Sequence, residues 1–243
     1  VEIWTALVDD LCLMAFVAWR QQHDARPARA RVLDSISENN LAHAEEMTVV
    51  CRDGVAPDRV RLTRRPPRDW WPSGLFRTSD QSWSSVIARG LVLSAALVVL
   101  ARSQLVAVSD PCWRRAIVLV ERGQSRQFGQ WRLAAAPLLA EAGARAEFEQ
   151  DMRATMARSG DLYRAGAAGA RDVGDVQCHH ALPGVLRRSG IPRSWLATWP
   201  DYPRRRGNAT AGRATTSLID DLRSGREWPP GRRVRGAGAA VEP

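Results

Sequence analysis

From Ile3 to Gln22 the chain reads IWTALVDDLCLMAFVAWRQQ, and Trp4, Leu7, Val8, Leu11, Met14, Ala15, Ala18 and Trp19 fall on one face of a 3.6-residue period. That spacing predicts an amphipathic helix. A second helix is expected over about 28–46, with Leu33, Ile36, Leu41 and Ala44 on its apolar side and Asn39 and Asn40 interrupting it. MTVVC and RVRLT then flank the turn-rich RDGVAPD, a pattern that fits a short β-hairpin over 47–63. RRPPRDWWPSG, residues 64–74, is not regular structure, because consecutive prolines remove donors and constrain the residues before them. It reads as a linker or wrapping loop.

Residues 81–109 contain only two charges, Arg89 and Arg102, around the run GLVLSAALVVLA, the most apolar helix expected in the chain. A membrane span needs about 20 mainly apolar residues, and 84–108 meets that length if an arginine snorkels to an interface; the central helix of a soluble bundle explains it without that demand. Ser109, Asp110 and Pro111 form a good helix start, a capping side chain followed by proline, and Gly123 would be a natural end. AIVLV inside that segment would also suit a buried strand. Helical spacing resumes over about 131–142 and 145–158, where Phe148, Met152 and Met156 share a face, and the small residues of RAGAAGA (164–170) suit close backbone packing.

From about Leu182 the sequence turns to proline, arginine, glycine and tryptophan. Residues 185–243 hold twelve arginines against five acids, so most of the net charge of +9 is expected to be C-terminal. One short helix near 214–224 is expected within a stretch that otherwise crosses another surface in extended form. The fold class read from these patterns is mainly α. It is an irregular helical bundle with a short hairpin at 47–63 and a long, extended Arg/Pro/Trp-rich C-terminal segment. The divisions are N-terminal helices and hairpin (1–63), linker (64–83), helical body (84–181) and basic tail (182–243).

Composition narrows the chemistry. An apolar content of 45% is enough to bury a real core, and the surplus of positive charge points to an anionic partner. All 35 basic residues are arginine, and tryptophan occurs ten times against two tyrosines, a bias that GC-rich coding alone produces. Without lysine, a standard Walker A loop is impossible and side-chain Schiff-base chemistry is excluded. Cys12, Cys51, Cys112 and Cys178 form no CxxC pair and are too sparse for a disulfide framework, so reduced thiols in an intracellular or organellar compartment are expected. No GxSxG or HExxH motif occurs, and GAAGA lacks the strand a dinucleotide fingerprint requires.

Two constellations remain. In RDVGDVQCHH (171–180), a helix would place Asp172, Asp175 and His179 on one face, a minimal ligand set for a divalent metal and for a metal-dependent hydrolase or nuclease. Gly174, Pro183 and the absence of any histidine after His180 favour instead the frayed, histidine-capped end of a helix. The second is arginine interleaved with tryptophan and proline: Arg64, Arg65, Arg68, Trp70 and Trp71; Trp195, Trp199 and Arg204, Arg205 and Arg206; Trp228, Arg232 and Arg233. These residue types suit RNA, where guanidinium neutralises phosphate and bases stack on indole, or an acidic protein surface with tryptophan anchors. The expectation is a non-catalytic, structural subunit of a larger protein or ribonucleoprotein assembly, requiring no cofactor. A membrane-complex subunit embedded through 84–108 is the alternative.

Overall fold

A computed structural model of the chain describes residues 2–51, 59–66, 69–70, 72–77, 82–163, 173–200, 213–224 and 228. Among these residues the chain forms α-helices and short 3-10 turns and no strand. The helices are α1 (Glu2–Gln22), α2 (Pro27–Cys51), α3 (Arg59–Thr63), α4 (Trp83–Leu105), α5 (Pro111–Ala140), α6 (Ala142–Arg158), α7 (Val173–Arg188) and α8 (Arg213–Ser224). Three 3-10 turns, Gly74–Phe76, Ser159–Asp161 and Arg193–Leu196, lie between them.

The expected mainly helical bundle is what forms, and its centre is α4. Seventeen of its 23 residues are buried, so apolar side chains on every side of the helix need cover. α5 returns along it after a short connection, α6 and α7 pack on further sides, and α1 and α2 form a second helical pair alongside. α4 is long and apolar enough to cross a membrane, but 94% of its most apolar window is buried inside the chain. Its interior charge, Arg89, is buried, with Nε donating to the Ser85 carbonyl at 3.3 Å.

Local chemistry sets the helix ends. Ser82 accepts from the Ser85 N–H at the start of α4, and Asp110 accepts from the Trp113 N–H at 2.8 Å ahead of Pro111, the cap-and-proline start expected from sequence. Gly123 does not end α5. It sits where a Cβ would collide with the His43 ring, so its role is close approach to α2 and the helix continues to Ala140, carrying Pro137 within it. At the end of α7, Gly190 takes φ 97° while Ile191 N–H bonds to Leu186 O at 3.3 Å and Gly190 N–H to Arg187 O at 3.0 Å. This paired bonding is the Schellman closure that only an unsubstituted Cα adopts without strain.

Two expectations need correction. The flanks of the hairpin placed at 47–63 are helical: α2 runs through Met47–Cys51, and Arg59–Thr63 is α3, with 52–58 outside the described residues. Burial explains it, since Met47 and Thr48 continue the inward face of α2, and the Arg59 guanidinium bridges Glu38 and Glu45 on that helix at 3.0 and 2.9 Å. AIVLV likewise belongs to α5 rather than a strand.

The described part of 64–83 packs into the body. Trp70, Leu75 and Phe76 are buried, and two interior carboxylates hold the backbone there. Asp10 accepts from Ser73 N–H at 2.7 Å; Asp161 accepts from Gly74 N–H at 2.9 Å and pairs with Arg77 at 2.8 Å. Past 181, α7 continues to Arg188 despite Pro183, because Cys178, His179, Leu182 and Leu186 pack inward. The short helix expected near 214–224 forms as α8; residues 201–212 and 229–243 lie outside the described residues.

Glycine substitutions give opposite expected signs. A Cβ on Gly90 would fall inside the Trp131 indole, whereas Gly129, within α5, has nothing near its missing side chain. Gly90→Ala should lower stability by about 1–3 kcal/mol through overpacking. Gly129→Ala should raise it by up to about 1 kcal/mol through helix propensity. Urea unfolding of both variants checks the pair; equal effects would show that α4 and α5 are not in the contact described.

Candidate functional site

The tryptophans of the Arg/Trp/Pro segments are largely internal. Trp70 is fully buried under the Arg65 guanidinium, 4.4 Å from its ring centroid, and donates from Nε1 to the Arg65 carbonyl at 3.2 Å. Trp195 meets Phe148 edge-on at 5.9 Å. Trp228 packs against Phe16 and Trp19 at 5.5 and 5.6 Å. These three indoles complete the chain's own core and present no ring face to a base or a partner pocket. Trp199 is half-buried against His179.

Arg65 is engaged as well, with NH2 on Asp9 at 2.6 Å and Nε on the Leu62 carbonyl at 2.8 Å, while Arg64 is exposed. Burial works against the Arg65 charge, but Asp9 together with Cys12 and Asp69 more than offsets it, and its pKa is raised. Arg68, Trp71, Arg204, Arg205, Arg206, Arg232 and Arg233 lie outside the described residues.

Of the metal constellation, His179 has its side chain among the described residues. His179 is buried, its Nε2 lies 3.0 Å from the Pro200 carbonyl, and its ring meets the Trp199 ring at 4.6 Å. The imidazole thus ties α7 to the segment around Trp199. Asp175 lies on α7, and Asp172 falls outside the described residues. No three His, Cys, Asp or Glu among the described residues gather as a ligand set. Burial pushes the Cys12 thiol up to about 12, which removes it as a thiolate nucleophile at neutral pH.

Two other features of α5 stand out. The first is a polar seam against α2. Gln124 Nε2 donates to Asn40 Oδ1 at 2.9 Å and lies 3.0 Å from His43 Nδ1, all three residues being buried, with Gln127 buried one turn along. Burial pushes the His43 imidazole down to about 4. The ring is therefore neutral and accepts at Nδ1. These buried polar contacts fix register, since sliding either helix by a turn would part Gln124 from Asn40 and His43.

The second feature is the outward face of α5. Arg115, Leu119, Arg122, Arg126 and Leu133 follow i, i+4, i+7, i+11 and i+18, one stripe in which Arg115 and Arg126 stand about 16 Å apart along the axis. The leucines are 44% and 77% exposed. Arg115, Arg122, Arg126 and neighbouring Arg132 form no ion pair with any described residue. Glu121, the one acid in α5, is already held by Arg102 at 2.8 Å. Sequence reasoning looked for basic surface in the tail and missed this stripe, although the spacing of three arginines around Leu119 was there to be read. No protein-family model matches the chain, and no curated protein matches it.

The seam makes stability pH-dependent with a defined sign. Between pH 6.5 and about 4 the unfolded chain protonates His43 and the folded chain does not. Stability is therefore whole above pH 6.5 and falls as the pH is lowered toward 4, by on the order of 3 kcal/mol. His43→Gln should flatten that portion of a stability–pH profile measured by urea unfolding. An unchanged profile would show that His43 is not a buried neutral group.

Proposed function

We propose that the chain is a non-catalytic accessory subunit of a larger assembly, and that it binds an acidic protein surface through the outward stripe of α5. The observation that carries this reading is the set of guanidinium groups on one exposed helix face with no carboxylate partner among the described residues, interrupted by exposed leucines. Charge of one sign steers and orients an oppositely charged partner, and leucines among the arginines give that partner apolar area to cover. An acidic amphipathic helix, with leucines at helical spacing and glutamates beside them, has the matching chemistry.

Single-stranded RNA needs exposed aromatic faces beside its phosphate contacts, and Trp70, Trp195 and Trp228 are enclosed. The balance of features therefore supports protein over RNA.

The test uses the full chain, a synthetic Glu/Leu amphipathic peptide and poly-uridylate of equal charge, each followed by fluorescence anisotropy. The peptide should bind more tightly, and its binding should weaken as salt rises. Joint substitution of Arg115, Arg122 and Arg126 by alanine should weaken it roughly three- to hundred-fold, from about 0.2–1 kcal/mol for each exposed contact. Stability should stay within about 0.5 kcal/mol. Tighter binding of poly-uridylate, or peptide binding untouched by the triple substitution, overturns the reading.

A further inference from the structure

Where α2 passes the end of α5 and the start of α4, an open groove of about 330 Å³ runs between Leu33, Ile36, Trp83, Trp131, Ala134 and Pro137. This is the low end of the roughly 300–1,000 Å³ typical of small-molecule sites. Its walls are almost wholly apolar, and no acid lines it. Trp83 and Trp131 stand 6.3 Å apart at 51°, and Trp131 is pressed on Gly90, so one wall is fixed by the core. At the rim, Val32 is 39% exposed.

Polar groups are few and placed at distinct points. Arg29 is exposed and lies over the Trp83 ring, 4.4 Å from its centroid, and makes no ion pair with a described residue. Trp131 Nε1 is turned toward Gly90 in the core and, like Gln130 Oε1, is buried away from the groove, so Arg29 is the charged group that the described lining offers. An apolar trough edged by Arg29, with no carboxylate among the described lining residues, has a definite complement.

We propose that this groove binds a single-chain amphiphilic anion, of the medium-chain carboxylate class. Its tail lies along Leu33, Ile36 and the two indoles, and its head pairs with the Arg29 guanidinium, whose planar fork matches a carboxylate. The site goes beyond the α5 stripe, with which it shares Leu133; its charged and rim residues, Arg29 and Val32, belong to α2. Removing the tail and the rim valine from water supplies the affinity, and Arg29 supplies the preference for negative charge.

Isothermal titration of the full chain with decanoate, decanol and decyltrimethylammonium tests it. Decanoate should bind saturably at one per chain, decanol about tenfold more weakly, as loss of a charge-assisted hydrogen bond implies, and the cation not at all. Val32→Asp should abolish decanoate binding. Arg29→Ala should reduce decanoate to the level of decanol and leave decanol unchanged. Both residues are exposed, and a thermal melt verifies that each variant is folded.

The triple α5 arginine variant should bind decanoate as the parent does, which separates this site from the acidic-partner reading. No saturable binding, equal binding of all three amphiphiles, a decanoate preference that survives Arg29→Ala, or parental binding by Val32→Asp overturns the proposal. So does a groove closed by a second copy of the chain, seen as a dimer by sedimentation that decanoate does not dissociate.

Discussion

A helix that is apolar all the way round must be enclosed on every side, and α4 imposes that condition on the whole chain. Each fully buried Val, Leu or Ile side chain contributes roughly 1.5–3 kcal/mol, and α4 sets many such side chains at the centre of the core. Enclosure also leaves buried polar groups to be satisfied where its coverings meet. The Tyr163 hydroxyl donates to the Ala96 carbonyl at 3.1 Å, and the Trp4 indole donates to Gln104 at 2.6 Å. Ser84 meets Asp151 of α6 by a hydrogen bond beside the capping Ser82. These contacts join α4 to parts of the chain far away in sequence, so the bundle closes around it in one arrangement.

Arginine does much of the joining that lysine shares in other proteins. Arg59 spans two glutamates about two turns apart on α2, and Arg65 serves Asp9, the Leu62 carbonyl and the face of Trp70 together. A guanidinium presents several donors in one plane and stacks on a ring while doing so, which a point-charge ammonium does not. A composition that GC-rich coding explains thus has structural consequences. The arginines that remain outside such clusters are the ones left for other molecules.

The helices α1 and α4 and the Asp110 start of α5 were legible because each rests on local information: a 3.6-residue period or a cap followed by proline. The stretch 47–63 was not, since MTVVC has strand-forming residues but its inward positions are fixed by burial against neighbours far away in sequence. Trp70, Trp195 and Trp228 were misplaced for a related reason. Proline and arginine around an indole suggest an exposed segment, yet a large apolar ring finds cover wherever the fold offers it. The groove beside Trp83 and the seam at His43 could not be read at all, because each exists only where two or three helices meet. The α5 stripe was readable in principle, from spacing alone, and was overshadowed by the greater charge of the tail.

Trp228 covers Phe16 and Trp19, and Arg20 pairs with Asp221 at 2.9 Å, so the first helix is finished by some of the last described residues. During synthesis, α1 must therefore wait with part of its aromatic surface bare until more than two hundred further residues have emerged. A truncated product ending before α8 would carry that surface permanently, an adhesive patch on an otherwise assembled bundle. Cover for the aromatic end of α1 thus comes from a residue some two hundred positions further along the chain.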